Sequence, residues 1–131
     1  MKGMELLRAE DNYDTKYFYL TPDSSVGDAI KRLEDEGRSF GFVKDENDKL
    51  HGYVRMRDLK RLDEGRSLTD VARTAATIRP TSTLMEAISM MLTAGITSAP
   101  VVNGRGKMLG VIRFREVFQT MEDVTSGAEE A

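Results

Sequence analysis

Cysteine is absent from this 131-residue chain, which excludes disulfides and thiolate metal sites. That absence fits a reducing compartment, and a cytoplasmic location is expected. The only histidine, His51, has no second histidine or cysteine to share a metal with. A structural or exposed role is expected for it, and metal binding is not. The serines and threonines lack a base partner, so nothing supports a nucleophilic triad, and no catalytic residue is expected. No apolar run approaches the roughly 20 residues of a membrane-spanning helix, and no signal peptide is visible. An excess of basic charge is missing as well. The net charge is −3, whereas a nucleic-acid binder needs a basic face. Neither nucleic acid nor direct membrane insertion is therefore expected.

What the chain does contain is the same stretch twice. Ile78 to Val117, moved back by 58 positions, falls on Leu20 to Leu59 without a gap. Pro80 then matches Pro22, Ala87 matches Ala29, Ile88 matches Ile30 and Gly95 matches Gly37. Further along, Val101 matches Val43, Gly110 matches Gly52, Arg113 matches Arg55 and Arg115 matches Arg57. A repeat of this kind governs the fold. Each copy, at about 45 to 60 residues, is near the lower limit for an independent core, so two copies are expected to pack on each other. With 40% hydrophobic and 31% charged residues, the chain has an ordinary globular balance.

Each copy reads strand, helix, strand, strand, helix. Lys16 to Leu20 is rich in strand formers and Pro22 ends it. Ser25 then caps a helix carrying Val26, Ala29, Ile30 and Leu33 on one face, with Gly37 as a left-handed C-terminal cap. Phe40 to Val43 and His51 to Arg55 form a hairpin around a polar turn, and Met56 to Leu62 is a short helix. In the second copy the strand is Ala76 to Ile78, and Thr83 with Glu86 makes a stronger capping box. Leu84, Ala87, Ile88 and Met91 form the helix stripe; Met85, Met90 and Met91 are expected to be packing residues. Ala99 to Val102 and Met108 to Ile112 give the hairpin, and Phe114 to Met121 the last helix. The expected organisation is an N-terminal connector at 1–15, repeat one at 16–62, a linker at 63–75, repeat two at 76–121 and a disordered tail at 122–131. The class is α/β (α+β), two repeats packed as a pseudo-two-fold pair.

Three segments of the second copy, Ile78 to Leu84, Ala94 to Val102 and Leu109 to Ile112, resemble the cystathionine-β-synthase (CBS) domain. The resemblance covers Lys16 to Met121 and is stronger in the second copy, because Gly41-Phe42-Val43 departs from the usual small-Pro-Val pattern of the first. It implies a tandem, or Bateman, module that binds adenosine-containing ligands, has no catalysis of its own and regulates an attached protein. Arg38 to Val43 and Lys49 to Lys60 are further similar to the first CBS repeat in ATP-binding subunits of glycine betaine, carnitine and choline importers. That likeness implies an attached ABC transporter ATPase, osmoregulation, a location at the inner face of the membrane and cyclic di-AMP as a ligand. The chain has no Gly-rich phosphate loop, so the hydrolysing part of such a subunit is not in it. Met1 to Met4 fits the start of an excised fragment.

In the family, a Thr or Ser after the glycine-led strand holds phosphate and an Asp three residues on holds the ribose hydroxyls. Here the first position is Arg55 and Arg113, and the second is Asp58 and Glu116. Arginine is the better phosphate partner, and either carboxylate accepts from two hydroxyls. Helix N-termini beside these positions favour an anion as well. In the second repeat the family geometry implies a ligand site of Thr77, Ile78, Ala99, Pro100, Val101, Val111, Arg113 and Glu116, weighed against plain core packing of the strands. A possible second site comprises Phe42, Val43, Tyr53, Arg55 and Asp58, where aromatic bulk favours one working site over two. The ligand is an adenine nucleotide (cyclic di-AMP, AMP or ATP) acting as a regulator, no cofactor is required, and a homodimer through the repeats is implied. The rival readings are a ligand-free dimerisation or ionic-strength-sensing module, built on charged runs such as Lys31 to Glu36, and a stand-alone AMP/ATP sensor.

Overall fold

In the computed structural model, the structure describes the backbone at 7–130 and the side chains at 7–123. The chain divides into two compact units. One, the α1 unit, comprises Phe18–Ala75 with Gly106–Met108; the other, the α4 unit, comprises Met1–Tyr17, Ala76–Arg105 and Leu109–Ala131.

The α1 unit holds β1 (Tyr19–Leu20), α1 (Val26–Asp35), β2 (Phe40–Lys44), β3 (Leu50–Arg55), α2 (Met56–Leu59) and α3 (Leu68–Val71). β1 runs parallel to β2, and β2 antiparallel to β3. Ser25 Oγ accepts the Asp28 amide at 3.1 Å and so caps α1. Gly37, in the left-handed region, turns the chain out of the helix. The buried side of α1 then closes over the sheet through Val26, Ala29 and Leu33, packed with Leu20, Val43, Val54, Leu59 and Leu68.

The α4 unit holds α4 (Leu84–Ala94), β4 (Ser98–Val102), β5 (Met108–Arg113) from Leu109 onward and α5 (Phe114–Glu130). Thr83 and Glu86 close the capping box in both directions, at 2.9 and 3.1 Å. Its core is Ala9, Ile78, Leu84, Ala87, Met91, Ala99, Val101, Ile112 and Val117. Most of these stand 58 positions beyond a core residue of the α1 unit, from Leu20 and Ile78 to Leu59 and Val117. The ungapped repeat thus marks equivalent core positions.

Several elements differ from expectation. The strand at Lys16 to Leu20 is reduced to Tyr19–Leu20, and that at Ala76 to Ile78 to one parallel bridge between Ile78 and Val101. Only these residues reach the neighbouring strand before the Pro22 and Pro80 turns. The helix expected over Met56 to Leu62 stops at Leu59. Met85 is exposed, while Met91 is buried and Met90 packs against the core. α5 runs on to Glu130, across most of the segment expected as a disordered tail, and Ala131 lies outside the described residues. Of the connector, residues 1–6 lie outside the described residues.

The connector before the first repeat is not a loose linker. Ala9 is fully buried, and the Ala9 and Glu10 amides donate to the Ser82 and Pro80 carbonyls at 2.8 and 2.9 Å. The linker after the first repeat does the same in the α1 unit, where the Leu68 and Thr69 amides donate to Ser24 and Pro22 at 2.9 and 3.0 Å. These two leaders are equivalents, 59 positions apart, and neither packs on the copy that follows it in the chain. The one before repeat one serves repeat two, and the one after repeat one stays with repeat one.

Candidate functional site

In each unit the leader pairs with the glycine-led strand. Tyr53 and Arg73 exchange reciprocal backbone hydrogen bonds at 2.9 Å, and Asp14 and Val111 do the same at 2.9 Å. Only a glycine lets the leader come so close. Gly52 has φ +130°, and a Cβ there would collide with the Arg73 carbonyl. A Cβ on Gly110 would overlap the Tyr13 ring and stand 2.5 Å from the Asp14 carbonyl oxygen. The leader's side chains are thereby delivered to the end of the strand, beside the arginine that follows the glycine by three.

The two strand ends carry different charges. In the α1 unit, Arg55 Nε donates to Asp58 Oδ2 at 3.0 Å, and Arg73 Nε stands 3.4 Å from the same oxygen. The hydrogen bond from Arg55, assisted by the charges of Arg55, Arg73 and Arg57, holds the Asp58 carboxyl below its ordinary value. In the α4 unit, Arg113 Nη1 donates to Asp14 Oδ2 at 2.8 Å and to Glu116 Oε1 at 3.5 Å. Asp14 is also held low, first by the Lys16 amide donating to it and then by Arg113. The first unit thus sets one carboxylate between two arginines, and the second one arginine between two carboxylates.

The sequence-derived residues fall into distinct classes. Arg55 meets Asp58, and Arg113 meets Glu116, so each arginine proposed for phosphate is paired with the carboxylate proposed for ribose. Ile78, Ala99, Val101 and Val43 have their side chains in the hydrophobic cores, and Pro100 and Phe42 are buried too. Phe42 stands edge-on to Phe40, at 5.5 Å between ring centres. The Ile78 amide donates to Pro100 and its carbonyl accepts from Val102, both at 2.9 Å, so these backbone groups hold the sheet together. Val111 is buried, Thr77 is exposed and Tyr53 is half-buried. His51 is exposed and meets Asp45 at 3.0 Å, away from the arginines.

Helix ends contribute less than the sequence suggests. Arg55 precedes a helix of only four residues, whose first amide already donates to the Ser39 carbonyl at 2.8 Å. At that length the summed dipole is small. The first amide of α5 likewise donates to Thr97, at 2.8 Å.

Asp14 and Arg73 are the site residues that sequence reasoning missed. The leaders share almost no residue types, and Asp14 stands 99 positions from Arg113. The glycines were the available signal: a repeated glycine inside a strand marks a close backbone approach, without naming what approaches.

Comparison with known proteins agrees with this architecture. The CBS-domain family model matches residues 12–65 and 68–123. An inosine-5′-monophosphate dehydrogenase from Halalkalibacterium halodurans is 31% identical over 119 residues, covering 88% of this chain and 24% of the enzyme. The chain therefore spans about a quarter of that relative's length. Among solved structures, CBSX2 in complex with AMP superposes with a TM-score of 0.76 at 22% identity, over 91% of this chain and 98% of that one. The cytosolic domain of the Mg2+ channel MgtE in complex with ATP gives 0.75 at 20% identity, over 89% of this chain and 50% of that one. At such identities the structures speak for the fold, and the family match speaks for descent. The chain belongs to the CBS-domain family and carries two CBS domains in tandem.

Proposed function

We propose that this chain is a regulatory module that binds an adenine nucleotide and passes its occupancy to an attached or associated protein. The arginine–carboxylate pair that follows the glycine-led strand in both units carries this reading. Arginine suits phosphate oxygens, and Asp58 or Glu116 suits the ribose hydroxyls. On the strands proposed to receive a flat base, Thr77 and Tyr53 are accessible, whereas Ile78, Ala99, Pro100, Val101 and Val111 in one unit, and Phe42 and Val43 in the other, are buried beneath them. Solved relatives of the same fold hold AMP and ATP, which supports the ligand class. Regulation would follow from a population shift, the ligand favouring the arrangement that it binds better. A transporter context is supported by the Mg2+ channel among the structural neighbours. Within that context the osmoprotectant ABC importer, a homodimer at the cytoplasmic face and cyclic di-AMP are the finer terms of the proposal.

Calorimetric titration with cyclic di-AMP, AMP, ATP and S-adenosylmethionine tests it, repeated on the Arg55→Ala/Arg113→Ala double variant. Micromolar binding of cyclic di-AMP, lost in the variant, supports the importer sensor. Tight binding of AMP or ATP instead favours a general adenylate sensor. Silence from all four ligands, together with a salt-dependent dimer, would leave the ligand-free module as the better account.

A further inference from the structure

The two units make different electrostatic offers to the same class of ligand. We propose that the nucleotide phosphate is held in the α1 unit, by Arg55 and Arg73, and that in the α4 unit the Asp14 carboxylate occupies Arg113 in place of a phosphate. This rests on the adenine-nucleotide reading and assigns its charged end to one of the two candidate sites.

The argument starts from the leaders. Each is brought to the strand end by the same backbone pairing beside the same glycine, so their side chains enter equivalent positions. At that position the α1 unit has Arg73 and the α4 unit has Asp14. Arg55 and Arg73 share one acceptor, Asp58 Oδ2, at 3.0 and 3.4 Å. A single carboxylate oxygen cannot satisfy two guanidinium forks, each of which has several N–H donors. A phosphate, with several acceptor oxygens, complements what that carboxylate leaves over. Arg57 adds a further positive charge near Asp58.

Arg113 is differently placed. Asp14 bonds it at 2.8 Å and Glu116 stands at 3.5 Å, so two carboxylates flank one guanidinium. Lys16, close to Asp14, offsets part of this charge without adding a donor to Arg113. An incoming phosphate would have to displace Asp14 and then sit beside two anions. An uncharged nucleoside faces no such penalty. The α4 unit therefore discriminates against phosphate, and the α1 unit selects for it.

The test titrates the whole chain with ATP, adenosine and inorganic tripolyphosphate in low salt, with thermal melting of every variant to confirm folding. Wild type is expected to bind one tripolyphosphate per chain. Arg73→Gln should weaken ATP and tripolyphosphate by about tenfold or more, the size of one charge-assisted hydrogen bond, with adenosine unmoved. Asp14→Asn should add a second equivalent of tripolyphosphate. Anion binding that is lost in Arg113→Gln and untouched in Arg73→Gln and Arg55→Gln would overturn the assignment. Tripolyphosphate bound through Arg73 with no preference for ATP would uphold the phosphate site and remove the adenine reading. No binding of any of the three by folded wild type would overturn both.

Discussion

The α1 and α4 units use one frame to opposite electrostatic ends. Equivalent apolar residues fill both cores, the same glycine admits a leader strand in each, and an arginine stands three residues on. Yet the leader brings Arg73 to one and Asp14 to the other. Burial constrains the shared part, because a changed volume in a close-packed core is felt at once. Side chains at the half-exposed strand ends carry no such constraint, so charge there is free to differ. Duplication thus preserves the scaffold while the two strand ends diverge.

The largest expected effect concerns the shared frame. Gly52→Ala combines a positive φ with a collision against the Arg73 carbonyl and should cost roughly 2 to 6 kcal/mol of stability by denaturant unfolding. Gly110→Ala meets the collision alone and should cost less. Equal losses would mean that the two leaders are held by the same strain.

The leaders are anchored unequally. Leu68 is fully buried in the α1 unit, and its counterpart in the α4 unit is the much smaller Ala9. Leu68→Ala should cost roughly 2 to 5 kcal/mol, and Ala9→Gly about 1 kcal/mol. Hydrogen exchange would show the same order, with the amides of 66–73 protected more than those of 8–14. Reversed protection would overturn this ranking.

Helix starts give a smaller contrast. Thr83→Ala should destabilise by about 1 kcal/mol. Ser25→Ala should cost no more, because the reciprocal side-chain bond belongs to the Thr83 cap.

The least effect is on acid stability, and it separates the two strand ends. Asp14 and Asp58 are both held below the ordinary 3.8 in the folded chain. Their contribution is therefore fully present above that value and is lost as pH falls through the lower folded value. For Asp58 the leading cause is Arg55, so Arg55→Gln should raise its titration clearly by NMR. For Asp14 the Lys16 amide leads, so Arg113→Gln should raise it less. The opposite order would show that the Asp14–Arg113 pair is the tighter one.

The sequence alone determined the repeat register, and with it the equivalent cores, both capped central helices and both hairpins. These are local or periodic features, fixed by apolar spacing, caps and turn residues a few positions apart. Only the tertiary structure decided which leader joins which copy, and therefore that Asp14 meets Arg113 and Arg73 meets Asp58. The strand pairing of those leaders is made by backbone hydrogen bonds, which nearly any residue can make. Their side chains were left without a pattern to read, and the charge at each strand end follows from a pairing over distance along the chain.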